Sequence, residues 1–284
     1  MLGKVVWVCL LLALVVVVAV GGLAGCRPRT TTTLVIRGSD TMVNLAAAWA
    51  ESFMAANQDV QVSVQGGGSS TGFAALIDGS TDLANASRPI KDSERQALQA
   101  KGKTPVEFTV AYDAVTMIVN STNTVGSLTL AQLSDILTGK VTNWKAVGGP
   151  DRGITVYSRE SSSGTYAFVQ ETVMGTADFA SSARLMPSSE SILQAVAQDK
   201  TGIGYVGLGY VSSSVSALGV AKEAGATPVL PAVTTVLDKS YPISRALYIY
   251  SAGDPSALGM SFIEFCVSPV GGRLAEEVGF VPTK

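Results

Sequence analysis

Residues 34–78 read LVIRGSDTMVNLAAAWAESFMAANQDVQVSVQGGGSSTGFAALID, and apolar residues recur in them with two alternating periods. Residues 34–38 and 60–65 have the pattern of short strands. Residues 41–56 and 71–78 have the pattern of helices with one apolar face. Because strands that alternate with helices favour a mostly parallel sheet covered by helices, the predicted fold class is α/β.

The same alternation continues through the rest of the chain, interrupted by two long extended runs at residues 106–120 and 244–251. Further strands are predicted at 82–87, 154–158 and 202–206, and further helices at 91–101, 166–174, 188–198, 255–266 and 271–278. The two long runs bracket the middle third of the chain. They therefore indicate two crossings between two lobes.

Three loops rich in serine, threonine and glycine follow predicted strands and precede predicted helices: residues 38–42, 66–72 and 159–165. The first turn of a helix leaves backbone N–H groups without helical partners and carries partial positive charge. Hydroxyl groups and glycines placed there form a cradle for an oxyanion such as phosphate. One such loop is often only a cap or a turn. Three of them, one with Arg159 at its edge, indicate a single anion held from several sides.

The composition excludes several classes of function. The chain contains no histidine, which argues against Ser-His-Asp and Cys-His enzymes and against histidine-based zinc sites. We therefore expect no catalytic residues, no metal and no cofactor. The formal net charge is −2 and charged residues make up only 15% of the chain, so there is no basic surface typical of nucleic-acid binding.

The N-terminus has the pattern of a bacterial lipoprotein signal peptide, with Lys4, an apolar run at residues 5–20 and then Leu-Ala-Gly-Cys ending at Cys26. We predict a signal peptide at 1–25, a lipid (palmitate) on Cys26 and a flexible tether at 26–33. The alternative is an uncleaved membrane anchor. Either way, the predicted location is the extracytoplasmic face of the cell membrane. The third cysteine of the chain, Cys266, is predicted to be a buried free thiol.

Five motifs occur in a characteristic order: GSDT at 38–41, GGGSSTG at 66–72, DLANASRPIK at 82–91, and the segments 133–144 and 158–165. In this order and spacing they resemble the phosphate-binding proteins of bacterial phosphate ABC transporters, which are periplasmic-type solute-binding proteins. The resemblance covers nearly the whole mature chain.

This resemblance implies a two-lobed periplasmic-binding-protein-like (type II) fold, with two hinge strands and the ligand in the cleft between the lobes. Lobe I would comprise residues 34–111 plus 246–284, and lobe II residues 112–245. Carried over position by position, the phosphate ligands would be Thr41, Met42, Ser69, Ser87, Arg88, Arg159, Ser163, Gly164 and Thr165. A guanidinium such as that of Arg159 offers a fixed fork of donors to phosphate oxygens.

The sequence departs from the family pattern after Ser87, where an aspartate that accepts the proton of phosphate is replaced by Arg88. An arginine cannot accept a hydrogen bond. Arg88 is therefore expected either to donate to the anion or to pair with Asp40 or Glu160. Asp40 itself is expected to cap the first helix, and Arg159 has Glu160 as an alternative partner.

Two classes of function remain open. The first is a monomeric, lipid-anchored binding protein that captures inorganic phosphate and delivers it to the membrane permease subunits of a phosphate ABC transporter. The second is a sensor or adhesion-type protein of the same fold. A secreted hydrolase that uses Ser163 is a third possibility, which the absence of histidine disfavours.

Overall fold

The computed structural model describes residues 31–283, so the predicted signal peptide and Cys26 lie outside the described residues. From Thr33 onward the described chain forms one compact unit. The strands are β1 (Thr32–Gly38), β2 (Val60–Gln65), β3 (Leu83–Ala86), β4 (Pro105–Asn120), β5 (Ser127–Thr129), β6 (Thr155–Arg159), β7 (Arg184–Met186), β8 (Gly202–Gly207), β9 (Val215–Ala217), β10 (Gly219–Ala221), β11 (Ser244–Ala252) and β12 (Val281–Pro282). The helices are α1 (Val43–Ala56), α2 (Ser69–Asp78), α3 (Asp92–Ala100), α4 (Leu130–Leu137), α5 (Gly164–Met174), α6 (Ser189–Gln198), α7 (Val233–Leu237), α8 (Ala257–Cys266) and α9 (Pro269–Glu277).

One large mixed sheet runs through this unit in the order β2-β1-β3-β11-β4-β8-β6-β7, and β9 and β12 also pair with β4. The outer pairs β1–β3, β6–β8 and β6–β7 are parallel, as the alternation of strands and helices predicts. The central pairs β3–β11, β11–β4 and β4–β8 are antiparallel. The fold is therefore α/β, as predicted, with a mixed rather than mainly parallel sheet.

The two long extended runs form the centre of this sheet. β4 and β11 pair with each other from Ser244 opposite Ala114 to Ala252 opposite Pro105, with an irregularity between Leu247 and Tyr248. This arrangement confirms that both runs are long strands and shows that they lie side by side. The limits of the two lobes, 34–111 plus 246–284 and 112–245, stay a prediction.

Buried apolar side chains form separate clusters, one of which spans both predicted lobes. One cluster of buried side chains joins Trp49 and Phe262 to Ile118 and Ile192, which belong to the other predicted lobe. A second cluster contains Trp144, whose indole N–H donates to the Thr201 carbonyl at 3.0 Å. Cys266 is a buried free thiol, as predicted.

Helix α4 is absent from the sequence-based prediction, although a local signal marks its start. Thr129 and Gln132 form a capping box, in which the Thr129 hydroxyl accepts from the Gln132 N–H and the Gln132 side chain accepts from the Thr129 N–H.

The short strands β5 and β10 form a separate parallel pair. Among residues 31–283, no helix has both the length and the apolar character needed to cross a membrane.

Candidate functional site

The site is built where β1, β2 and β6 each lead into a helix. Two glycines allow the first two of these turns to approach each other. A Cβ at Gly72, in the first turns of α2, would lie 2.6 Å from the Gly38 Cα. Gly38 itself has a φ of 138° and no room for a Cβ, which would lie 2.1 Å from the Asn85 carbonyl oxygen. The backbone at the end of β1 is therefore in direct contact with both α2 and β3.

Four buried hydroxyl groups meet at this place, and we call them the hydroxyl cluster: Thr41, Ser69, Ser87 and Thr165. The Thr41 and Thr165 hydroxyl oxygens are 2.7 Å apart, although 124 positions separate the residues in sequence. The Ser69 and Ser87 hydroxyl oxygens are 3.4 Å apart, and the Ser69 oxygen also accepts from the Ser87 N–H at 3.1 Å. All four were predicted from the sequence as ligands of one anion, and the structure brings them together.

The hydroxyl cluster has two halves, the pair Thr41 and Thr165 and the pair Ser69 and Ser87. Gly164 precedes Thr165 in the chain and lies against the second pair. A Cβ at this position would lie 2.3 Å from the Ser69 hydroxyl oxygen and 2.7 Å from that of Ser87. These distances are too short for a carbon atom, so glycine is what lets the start of α5 approach α2 and β3 this closely.

The glycine-rich loop at 66–72 and the loop at 159–165 are also tied directly to each other. The Ser70 N–H donates to the Ser162 carbonyl at 3.0 Å, and the Ser162 hydroxyl donates to the Gly67 carbonyl at 3.2 Å. The three predicted anion-binding loops therefore converge, as the sequence analysis proposed.

Two other predicted ligands use their polar groups within the protein. The Ser163 hydroxyl caps α5, where it accepts from the Thr165 and Tyr166 N–H groups at 3.1 and 3.3 Å. The Met42 N–H donates to the Ser39 carbonyl at 3.1 Å in the short 3-10 helix that precedes α1. Both residues are buried beside the cluster, and their contacts are those of helix starts.

Arg159 is almost fully buried, at 1% exposure, and pairs with Asp40 rather than with Glu160. Its Nη1 donates to Asp40 Oδ2 at 2.9 Å and to the Ser189 hydroxyl at 3.2 Å, and its Nη2 donates to the Pro187 carbonyl at 2.9 Å. The Asp40 carboxylate also accepts from the Ser189 N–H at 2.7 Å. The predicted cap of the first helix is therefore wrong: Asp40 accepts from the first N–H of α6, which follows the N-cap residue Ser188, because the fold brings the start of α6 next to it.

Arg88 pairs with Glu94, which is neither of the two partners expected from the sequence. Its Nη1 and Nη2 donate to the two Glu94 carboxylate oxygens at 2.8 and 2.6 Å, and Nη2 also donates to the Ser70 hydroxyl at 3.0 Å. The guanidinium lies over the Phe73 ring, 5.1 Å from its centroid. The predicted partners Asp40 and Glu160 are wrong because Glu94 is six positions away, on the first turn of α3. This contact set favours a structural role for Arg88, and its place among the ligands stays a prediction.

A third buried arginine, Arg245, was missed by the sequence analysis together with its partner Asp113. They lie opposite each other on β11 and β4, with Arg245 Nη2 and Nε at 2.8 and 3.2 Å from Asp113 Oδ2. A signal was present in the sequence, since each is a charged residue inside a mostly apolar strand. Charged residues are rarely buried unless they are paired.

Burial dominates the ionisation of this pair. Removal from water raises the pKa of the Asp113 carboxyl, and the Arg245 charge, its hydrogen bonds and the Leu208 N–H act in the opposite direction. The nearby Tyr205 hydroxyl is also removed from water, which raises its pKa to about 12.

No group of three or more acidic, cysteine or histidine residues that could hold a metal ion occurs within residues 31–283.

Comparison with known proteins assigns the chain to a family. A family model described as a PBP superfamily domain matches residues 27–270. The phosphate-binding protein PstS of Pseudomonas aeruginosa is 33% identical over 262 residues, which covers 86% of this chain and 81% of that protein. This chain belongs to the PstS family of phosphate-binding proteins. The resemblance inferred from the motifs is thereby confirmed.

Two further PstS-family comparisons agree. The PstS of Staphylococcus saprophyticus is 38% identical over 252 residues, covering 86% of this chain and 78% of that protein. The crystal structure of a putative phosphate ABC transporter substrate-binding protein from Clostridium perfringens with bound phosphate matches with a TM-score of 0.81 and 33% identity, over 89% of this chain and all of that one. The periplasmic-binding-protein-like fold expected of the PstS family is therefore confirmed.

Proposed function

We propose that this protein captures inorganic phosphate outside the cytoplasm and delivers it to the permease of a phosphate ABC transporter. The observation that carries the proposal is the hydroxyl cluster, in which three helix starts and the end of β3 meet in a PstS-family chain. The matching Clostridium perfringens protein was crystallised with bound phosphate, which supports the same class of ligand here.

The chemistry of the cluster suits a phosphate ion. Hydroxyl groups both donate and accept hydrogen bonds, so they can serve phosphate oxygens in either protonation state. The starts of α2 and α5 add partial positive charge and backbone N–H groups. Of the predicted ligands, Thr41, Ser69, Ser87, Gly164 and Thr165 have the strongest structural support because they lie in or against the cluster.

Delivery requires that the protein stay near the permease, and we propose that lipidated Cys26 keeps it there. The predicted tether at 26–33 would link the lipid to β1, whose first residue is Thr32, so the last two tether positions belong to the strand. We further propose that lobe I (34–111 plus 246–284) and lobe II (112–245) close on the anion, with β4 and β11 as the connecting strands.

The decisive experiment is calorimetric titration of phosphate-stripped protein with phosphate, with sulfate as the competing anion. We expect one phosphate per chain and a melting temperature that rises with phosphate, by an amount equivalent to about 2.7 kcal/mol at a hundred times the dissociation constant. The absence of both a heat of binding and a thermal shift at millimolar phosphate would contradict the proposal. Phosphate-uptake assays with the permease subunits of a phosphate ABC transporter would then separate transport from a sensor or adhesion role.

A further inference from the structure

Three arginines of the described chain are buried near the hydroxyl cluster, and each pairs with a carboxylate. The pairs are Arg88 with Glu94, Arg159 with Asp40, and Arg245 with Asp113. An anion that enters a closed site needs a positively charged donor, and the contacts of each guanidinium indicate which one is in position to supply it.

Within residues 31–283, the side chains of Arg88 and Arg159 make no hydrogen bond to a hydroxyl of the cluster. Apart from their carboxylate partners, Arg88 donates to Ser70 and the Pro89 carbonyl, and Arg159 donates to Ser189 and the Pro187 carbonyl. These contacts connect α2 to α3 and β6 to α6.

Arg245 instead contacts members of both halves of the cluster. Its Nη1 donates to the Ser87 carbonyl at 3.0 Å, and its Nη2 lies 3.5 Å from the Thr41 hydroxyl oxygen. That hydroxyl is itself 2.7 Å from the Thr165 hydroxyl. An anion oxygen bound by the Thr41 and Thr165 hydroxyls would therefore lie within reach of the same guanidinium.

The Arg245 guanidinium is held in a fixed orientation. Asp113 Oδ2 accepts from Nε and Nη2, while Asp113 Oδ1 accepts from the Leu208 N–H at 3.0 Å. Gly207 leaves room for this carboxylate, since a Cβ there would lie 3.1 Å from both of its oxygens and from the Thr41 methyl group. The Phe168 ring lies against the guanidinium, with its centroid 5.4 Å away.

The charges around Arg245 also favour an anion at this place. Burial lowers the pKa of Arg245, the Asp113 carboxylate opposes this change, and the positive charge of Arg159 adds to the lowering. An anion close to both guanidiniums would relieve their repulsion.

We propose that Arg245 is a direct ligand of the bound phosphate and its charged donor from the crossing strand β11. Asp113 holds the guanidinium in place, and Arg88 joins α2 to α3. This inference rests on the proposed binding of phosphate at the hydroxyl cluster.

The test compares phosphate affinity in the full chain for the wild type, Arg245→Lys, and the double variant Arg245→Gln with Asp113→Asn. The double variant removes both charges together and so leaves no unpaired buried ion. Arg184→Gln is the control, because Arg184 is exposed on the outermost strand β7 and its side chain contacts Tyr157 rather than the hydroxyl cluster. We expect the double variant to lose on the order of 10- to 100-fold in affinity, Arg245→Lys to lose less, and the control to match the wild type.

If the wild type binds phosphate and the double variant binds it with the same affinity, this inference is overturned and the proposed function stays intact. If the wild type itself does not bind phosphate, the proposed function is overturned. If the double variant does not fold, NMR of the wild type decides. A ¹⁵N–³¹P coupling across a hydrogen bond from the Arg245 side chain to phosphate supports direct contact. Its absence, in spectra where other donors show such couplings, overturns it.

Discussion

At the scale of single residues, the site depends on close approach as much as on polar groups. Gly164 brings the start of α5 against Ser69 and Ser87, and any side chain there would occupy the space of their hydroxyls. The buried charged side chains near the cluster are each paired with an opposite charge, so the charge balance of the site is set by a few specific contacts.

Gly164→Ala should weaken phosphate binding by about 10-fold or more, equivalent to roughly 1.4 kcal/mol, because the added carbon would lie 2.3 Å from the Ser69 oxygen and displace it. Calorimetric titration measures the change. Gly126→Ala is the matched control, since a Cβ there meets nothing within 4 Å. Equal affinities in the two variants would show that the cluster does not contact phosphate.

Glu94→Gln should lower the free energy of unfolding by about 2–4 kcal/mol while leaving phosphate affinity within about twofold, because it leaves the buried Arg88 without its counter-charge. Denaturant unfolding measures the stability. Asp135→Asn, which breaks an exposed pair with Lys140, should cost less than about 1 kcal/mol. A large loss of phosphate affinity in Glu94→Gln would instead support Arg88 as a ligand, as the family resemblance implies.

At the scale of secondary-structure elements, neighbouring strands fix the loops that surround the site. The Tyr205 hydroxyl on β8 lies 2.7 Å from the Ser158 hydroxyl and accepts from the Arg159 N–H at 3.1 Å, both at the end of β6. The loop at 159–165 therefore starts from a backbone position that β8 holds in place.

Tyr205→Phe should lower the free energy of unfolding by about 1–2 kcal/mol near neutral pH, because the Arg159 N–H loses its acceptor. Burial raises the pKa of Tyr205 from 10.0 to about 12, so the unfolded chain loses this proton first as pH rises. The contribution of the Tyr205 proton to the free energy of unfolding is therefore complete below about pH 10 and is lost as pH rises through about 12.

The phenylalanine variant cannot lose that proton, so the difference in stability between it and the wild type should narrow between pH 10 and pH 12. The shift of about two pKa units corresponds to about 2–3 kcal/mol, which exceeds the difference near neutral pH, so the variant should become the more stable protein near pH 12. Urea unfolding at a series of pH values measures this difference. Tyr112→Phe, at an exposed tyrosine, serves as the control. A constant difference across this range would contradict the prediction.

At the scale of the whole molecule, the site lies where the chain crosses the centre of the sheet. β4 and β11 run side by side, and their direct register places Arg245 opposite Asp113. The proposed ligand would therefore contact three helix starts and a crossing strand at once, so binding should stabilise the entire described unit rather than one part of it.

Cys26→Ser should release the protein from the membrane fraction without changing its phosphate affinity, since lipidation needs the thiol and the site begins at Thr41. Cell fractionation followed by titration of the released protein measures both effects. Thr30→Ser, in the predicted tether, is the control and should stay with the membrane. A Cys26→Ser protein that remains in the membrane fraction would support an uncleaved anchor at residues 5–20 instead.

Most of the secondary structure around the site is predictable from sequence, because hydrophobic periodicity and turn residues act locally. The strand at 60–65 matches β2 in both limits, and the loops at 38–42, 66–72 and 159–165 each lead into a helix. Their serine, threonine and glycine content indicates the class of ligand for the same reason, since the unpaired N–H groups of a helix start are a local property. The antiparallel centre of the sheet was missed because strand periodicity carries no information on the direction of a partner.

Only the tertiary structure decides which charges meet. Arg88 pairs with Glu94, Asp40 with Arg159 and Arg245 with Asp113, and none of these partners was predicted from sequence. Arg245 and Asp113 are 132 positions apart and become neighbours only through the register of β11 on β4. A buried charge must find a counter-charge wherever the backbone brings one within about 4 Å, and that distance is set by the packing of the whole chain rather than by local pattern.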